Sequence, residues 1–259
     1  MKTIDFSSYS SIKIGPKVDV KIIKKVGNYE NYTLIGGANN LLISSNPPKM
    51  AILGKEFDFI KQIDNFLHIG GATVSGKILS YAKKHSIANF ELMQKLPGTL
   101  GGIVKMNAGL KEWEIFNHLV SIKTEYGWIK KSEIEYGYRY TKIKGVIFEV
   151  KFEIHKGFNY KLLDMFKKLR ENQPSYPSAG SCFKNPKNAF AGELLDRAGL
   201  KGCRIGNISF SKDHANFLVN LGNGTFDDAI TLINQAKKRV HEKFGVELEL
   251  EIEVLGHQT

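Results

Sequence analysis

The chain is short of cysteine, has no long apolar run and carries no glycine pattern of the dinucleotide type. Each shortage closes off a class of protein. Only Cys182 and Cys203 occur in 259 residues. That excludes a disulfide scaffold and fits a reducing compartment. Neither cysteine has a second ligand at metal-site spacing, so no structural metal is expected. The opening stretch MKTIDFSSYSSIKIG lacks the apolar centre of a signal peptide. No run approaches the ~18 apolar residues that span a bilayer. These absences predict a soluble, cytoplasmic protein with no membrane insertion.

What is present begins with charge. Lysine and arginine number 37 against 26 acidic residues, a net +11. Such an excess favours anionic partners. The lysine pairs at 24–25, 83–84, 130–131, 167–168 and 237–238 are scattered, with no basic tail or arginine-rich helix. They read as solvated faces, and nucleic acid is not the expected partner, although a basic nucleic-acid-binding module stays the competing reading from another class. Hydrophobic residues make up 42% of the chain, enough for a true core.

Val18, Val20 and Ile22 alternate with polar residues as in a strand. Tyr32 to Ile35 predicts a buried strand that runs into Gly36, Gly37, Ala38, Asn39, Asn40 and Leu41. Glycines after a strand leave backbone N–H groups free to form an anion-binding nest, and a pyrophosphate suits one. A plain hairpin turn is the alternative. Further strands are expected over 51–72, followed by a helix capped by Thr73 and bearing Val74, Ile78, Leu79 and Ala82. The segment Leu96 to Gly109 then holds Pro97, Gly98, Thr99, Gly101, Gly102 and Asn107 among apolar residues. It is too apolar for a linker and too rich in glycine for a stable helix, which points to close approach of backbone to a ligand. Tyr136 to Thr141 sets Arg139 between Tyr138 and Tyr140, where a guanidinium can stack and present its fork to a carboxylate. A cross-strand arginine on a solvated face explains it equally well.

Composition shifts near Gly157, and a domain boundary is placed there. Residues 1–156 form one region, with 1–50 and 51–156 as subdomains, and 157–259 form a second domain. Leu162, Leu163, Phe166 and Leu169 mark a helix at its start. Gly180-Ser181-Cys182-Phe183-Lys184-Asn185-Pro186 follows, with a hydroxyl, a cation and an amide presented on a turn. A helix is predicted from Phe190 to Leu200, and His214 reads as a structural residue at the entry to the strand Phe217 to Val219. Thr225 and Asp228 form a capping box that opens a helix ending at Gly245. A final strand is predicted over 246–254. Its glutamates 247, 249, 251 and 253 share one face, and periodicity does not separate them.

Taken in order, GGANNLL, LPGTLGGIVKMNAG, YRYT, GSCFKNP, SKDHANFLVN and FGVELELEIEVLG resemble the UDP-N-acetylenolpyruvoylglucosamine reductases, flavoenzymes of peptidoglycan synthesis. The likeness runs from about Ser10 to the C-terminus. It implies an α+β fold, with an FAD-binding domain of the vanillyl-alcohol-oxidase type and a C-terminal α+β substrate-binding domain. FAD would be held without a covalent link, by Gly36, Gly37, Ala38, Asn39, Asn40 and Leu41 on one wall. Pro97, Gly98, Thr99, Gly101, Gly102 and Asn107 would form the other. Arg139, Ser181 and Glu251 match the family's catalytic positions. Tyr138, Lys184 and Asn185 would meet the substrate, and Lys184 is a candidate to assist the Ser181 hydroxyl. The substrate would be UDP-N-acetylglucosamine enolpyruvate, with NADPH as co-substrate and a monomeric enzyme. The short span from Arg139 to Ser181 implies the type that lacks an extra substrate-binding tyrosine loop. Cys182 is expected to pack rather than react. An oxidase of the same fold, passing electrons to oxygen, is the competing flavoprotein reading.

Overall fold

The alternation around Val20 becomes the strand Lys17–Ile23, and its Lys21, Ile22 and Ile23 pair in parallel with Ala51, Ile52 and Leu53. Thr33–Leu34 pairs in parallel on the other side of that partner strand. The computed structural model describes residues 1–171 and 173–256. Asn172 and the last three residues of the expected second domain, 257–259, lie outside the described residues. The chain forms two compact units, and neither is one continuous stretch. The first takes residues 1–2, 20–37 and 49–171, and the second takes 3–19, 38–48 and the chain after Glu171.

By packing, therefore, the chain changes unit after Glu171 rather than at 156. The helix Tyr160–Leu169 accounts for the difference. Its Phe166 is fully buried, and its Leu163 packs on the core that holds Leu67, Val150 and Phe152. Phe166 meets the Trp113 ring edge-on at 5.5 Å. Composition shifts at Gly157, but the apolar stripe that follows belongs with the first core.

That core lies under a five-stranded antiparallel sheet, in the order Gly127–Lys130, Leu119–Thr124, Glu149–Glu153, Phe66–Gly70, Ile60–Ile63. Alternation sends Leu67, Ile69, Ile122, Val150 and Phe152 inward. The opposite face carries Lys123, Trp128 and Lys151, with both ammonium groups within 6 Å of the indole (5.9 and 4.9 Å). The helix Ser75–Lys84 buries Ile78 and Ala82. It is capped at Val74, not Thr73, because the Thr73 hydroxyl donates to the Phe59 carbonyl at 3.1 Å. The glycine-rich segment also departs from expectation: a helix does form, over Leu100–Lys105. Burial of Leu100, Ile103 and Val104 offsets the glycine cost. Gly101 N also donates to Gly71 O at 2.8 Å, an approach that side chains would obstruct.

In the second unit Ser178–Ser181, Phe217–Asn220, Ile208–Phe210 and Arg204–Ile205 form an antiparallel sheet in that order. The helices Ala191–Arg197 and Phe226–Phe244 belong to the same unit, where Leu195, Leu232, Ile233, Ala236 and Val240 share one core with Phe210 and Leu218. The capping box of Thr225 and Asp228 is in place, and Gly245 closes the helix at φ +67°. The predicted final strand shrinks to Glu253–Leu255. The chain changes partner at Glu251. Upstream, Leu250 bridges to Phe183; downstream, Glu253–Leu255 pairs in parallel with Leu41–Ile43. Among the described residues no helix is long and apolar enough to cross a membrane, and no cluster of three metal-ligating side chains occurs.

Truncating a fully buried phenylalanine costs about 3–5 kcal/mol. Phe166→Ala is expected to lower the unfolding free energy by that amount in chemical denaturation. A loss below about 1 kcal/mol would mean that the helix is peripheral to the first unit.

Candidate functional site

In the first unit, Tyr136–Gly137 and Tyr140–Thr141 form a two-stranded hairpin with Tyr138 and Arg139 at its tip. Arg139 sits at φ +60°, a position that usually goes to glycine or asparagine. Its Nη2 donates to Gly109 O at 3.0 Å, and its guanidinium carbon lies 4.9 Å from the Tyr138 ring centroid. The buried Asn107 ties this hairpin to the glycine-rich segment. Its Nδ2 donates to Gly137 O at 3.0 Å and to Glu114 Oε2 at 2.7 Å, while its Oδ1 accepts from Phe116 N at 3.3 Å. Thr141 Oγ1 adds a bond to Lys105 O at 2.7 Å. Two stretches read separately in the sequence are one hydrogen-bonded cluster, and the Asn107 amide is engaged in holding it.

Arg170 escaped the sequence reading. It is only 5% exposed, and its Nη1 donates to Leu92 O at 3.3 Å and to Gln94 O. Burial, and secondarily the charge of Arg139, pull its pKa down to about 10, so it remains a cation at neutral pH. It has no carboxylate partner among the described residues. Its spacing of four from Phe166 marks it as lying on the buried helical face, and that signal was available in the sequence.

Gly36 and Thr99 also lie together in the first unit. A Cβ on Gly36 would stand 2.4 Å from Thr99 Oγ1. Gly98 has φ +120°, and a Cβ on Gly101 would approach Gly71 O to 3.2 Å. The two glycine-rich stretches thus approach each other at Gly36 and Thr99. Ala38, Asn39, Asn40 and Leu41 group with the second unit. Ala38 takes φ +49° there, and Ser11 N donates to its carbonyl at 3.2 Å. Asn40 Nδ2 donates to Glu251 O at 2.9 Å, and Asn40 O accepts from Glu253 N at 2.9 Å.

The second unit places Ser181 and Glu251 on neighbouring chain segments. Ser181 ends its strand opposite Phe217, and Glu251 N donates to Cys182 O at 2.9 Å. Ser181 is half-buried, and its hydroxyl makes no hydrogen bond within the described chain. Of the four alternating glutamates, only Glu251 is not exposed, which separates it on physical grounds. Lys184 Nζ pairs with Glu249 Oε1 at 2.5 Å, so its ammonium has a partner other than the Ser181 hydroxyl. Asn185 Oδ1 accepts from Ala191 N at 3.0 Å and so holds the start of the helix Ala191–Arg197. Burial pushes the Cys182 thiol far up, which suits packing. His214 Nδ1 accepts from Asn216 N at 3.3 Å, its ring lies edge-on to Phe217, and burial lowers its pKa. It is a structural histidine. A cleft of about 670 Å³ in this unit, lined by Lys13, Tyr176, Asn220 and Phe226, contains none of the predicted residues.

The C-terminal domain model of UDP-N-acetylenolpyruvoylglucosamine reductase matches residues 173–255. A UDP-N-acetylenolpyruvoylglucosamine reductase from Helicobacter hepaticus is 48% identical over 97% of this chain and 98% of its own length. One from Campylobacter jejuni is 44% identical, covering 97% of this chain and 99% of the relative. The crystal structure of a UDP-N-acetylenolpyruvylglucosamine reductase from Thermus caldophilus superposes with a TM-score of 0.84 at 27% identity, covering 98% of both chains.

The contact at Gly36 is open to test. Gly36→Ala forces its Cβ onto Thr99 Oγ1, and such overpacking costs about 1–3 kcal/mol. The variant is expected to melt several degrees lower, and Thr99→Ala in the same chain to restore most of the loss. Purely additive effects would show that the two residues do not meet.

Proposed function

Because the chain belongs to the UDP-N-acetylenolpyruvoylglucosamine reductase family, we propose that it reduces UDP-N-acetylglucosamine enolpyruvate to UDP-N-acetylmuramate, an oxidoreductase step that supplies a peptidoglycan precursor. NADPH is the co-substrate, and the enzyme acts as a monomer in the cytoplasm. The observation that carries this reading is the backbone link between the Ser181 and Glu251 segments, which sets two proton-bearing side chains on adjacent stretches of one unit.

FAD fits the residues present. The close approach of Thr99 to Gly36 brings the two glycine-rich stretches together within the first unit, which supports this reading. Gly36, Gly37 and the stretch with Thr99, Gly101 and Gly102 would hold it non-covalently, and Ala38, Asn39, Asn40 and Leu41 continue the Gly36–Gly37 run in the sequence. When bound, FAD supplies the hydride that NADPH donates, delivered to the substrate's terminal CH₂ carbon.

The chain's own residues handle the charge and the proton. Negative charge develops on the carbon next to the carboxylate and spreads onto its oxygens. Arg139, held at φ +60° with Tyr138 stacked on it, offers a guanidinium fork to those oxygens. Arg170 adds positive potential to the same unit. A preorganised donor of this kind is worth a few kcal/mol in the transition state. Glu251, half-buried and fixed through its backbone, donates a hydrogen bond when protonated. Ser181 delivers its proton to the carbanion-like carbon, its hydroxyl having no internal acceptor to satisfy first. Tyr138, Lys184 and Asn185 make the remaining substrate contacts.

An anaerobic visible spectrum tests the whole reading. The flavin band should bleach with NADPH and return with the enolpyruvyl sugar, and a band that bleaches without returning rules out the substrate. Ser181→Ala is expected to leave bleaching intact and slow the return by at least a hundredfold; equal loss in both halves would remove Ser181 from proton delivery. Glu251→Gln keeps hydrogen-bonding capacity and should retain more of the second half-reaction than Glu251→Ala. Equal losses would count against a proton-bearing role.

A further inference from the structure

Ser181 stands where its strand runs out of partners. Ser178 pairs with Val219 and Ser181 with Phe217, with a register shift between them where Gly180 takes φ +84°. Beyond Ser181 the ladder continues onto one residue, Asn216. Cys182 N donates to the Asn216 carbonyl at 2.6 Å. Then Phe183 N donates to Asn216 Oδ1 at 3.0 Å, and Asn216 Nδ2 donates to Phe183 O at 2.8 Å. The carboxamide thus acts as a peptide group and extends the sheet by one residue.

Asn216 is 4% exposed and Phe183 fully buried, so water does not replace these bonds. The other edge of the same segment carries the Glu251 stretch. Cys182 O accepts from Glu251 N at 2.9 Å, Lys184 N donates to Glu249 O at 2.8 Å, and Phe183 bridges to Leu250. Fixing Phe183 on one edge therefore fixes Ser181 before it and Glu251 beside it. A displacement of about 1 Å in a reacting group can cost on the order of a hundredfold in rate.

We propose that Asn216 is a positioning residue for the reductive protonation: its side-chain amide sets the placement of Ser181 and Glu251 without touching the substrate. The inference rests on the reading of Ser181 and Glu251 given under Proposed function. It predicts that the second half-reaction depends on the amide's donor as well as its acceptor.

Two variants separate those roles. Asn216→Asp keeps the acceptor for Phe183 N but, when ionised, sets a carboxylate against Phe183 O. Protonation restores the donor, and burial raises the pKa at which this happens. The titratable groups nearby among the described residues include His214, the Cys182 thiol, Glu251, the Lys184–Glu249 pair, Lys201, which acts on His214, and Lys237, which acts on Cys182. The wild type carries them all, so its own pH profile is the baseline. Asn216→Leu removes donor and acceptor together.

The expected result is that bleaching by NADPH stays within about twofold in both variants. Return of the band with the enolpyruvyl sugar should fall at least a hundredfold in Asn216→Leu. In Asn216→Asp the return should be slow at high pH and recover toward the wild-type rate as pH falls. Amide hydrogen exchange provides a readout that does not depend on turnover. In Asn216→Leu, protection at Phe183, Lys184 and Glu251 should drop while the helix Phe226–Phe244 keeps its own. Unchanged protection at those amides would overturn the inference, as would parallel loss of both half-reactions or a second half-reaction retained within twofold. A wild-type band that never returns would instead sink the functional reading, and the exchange result then judges the clamp alone.

Discussion

Buried backbone groups must find partners, and in the second unit that requirement falls on Cys182 and Phe183. One residue, Asn216, fills the near edge of this pair, with its backbone carbonyl for Cys182 and its carboxamide for Phe183, and the Glu249 to Ile252 stretch fills the far edge. Each bond left unmade there would cost about 1–3 kcal/mol, a large share of a typical stability of 5–15 kcal/mol. The backbone positions of Ser181 and Glu251 follow from this pairing of donors and acceptors.

The first unit solves the same problem with the same residue type. Asn107 bonds to Gly137 O, Glu114 and Phe116 N, and so locks the Arg139 hairpin against the glycine-rich segment. Asparagine suits the task because one short side chain carries both a donor and an acceptor, as a peptide group does. It also tolerates the left-handed backbone found at Asn107, φ +45°. Each unit thus holds its proposed reactive residues beside a buried amide that faces protein.

Much of this was legible in the sequence, and what was missed has a common cause. The helix from Phe226 to Phe244 could be read to the residue, because its cap, apolar stripe and terminal glycine are all local signals. The strand around Val150 was legible from its local alternation. The helix Leu100–Lys105 was not, since its two glycines argue against helix and the reason for Gly101 lies in its distant contact with Gly71. The expected strand over 246–254 failed at Glu251 because its two halves bond to segments far apart in sequence, 182–184 and 40–43. The pairing with 41–43 draws residues 38–48 into the second unit, and bonds from Asn220 to Ile12 O and Lys13 O tie in residues 3–19. Family resemblance placed Ser181, Arg139 and Glu251, but it says nothing of the amides behind them. Asn216 looks like any strand-entry asparagine until its partner is seen.

The left-handed turn at Arg139 has a further consequence. A non-glycine residue in that conformation carries a penalty of about 1–2 kcal/mol that glycine does not. Under the role proposed for Arg139, selection for heat resistance and selection for cell-wall synthesis pull this codon in opposite directions. A library screened only for solubility or melting temperature should drift toward glycine or asparagine at 139, whereas one screened for growth should hold arginine. How far the two libraries diverge at this single position would measure what the fold gives up there for chemistry.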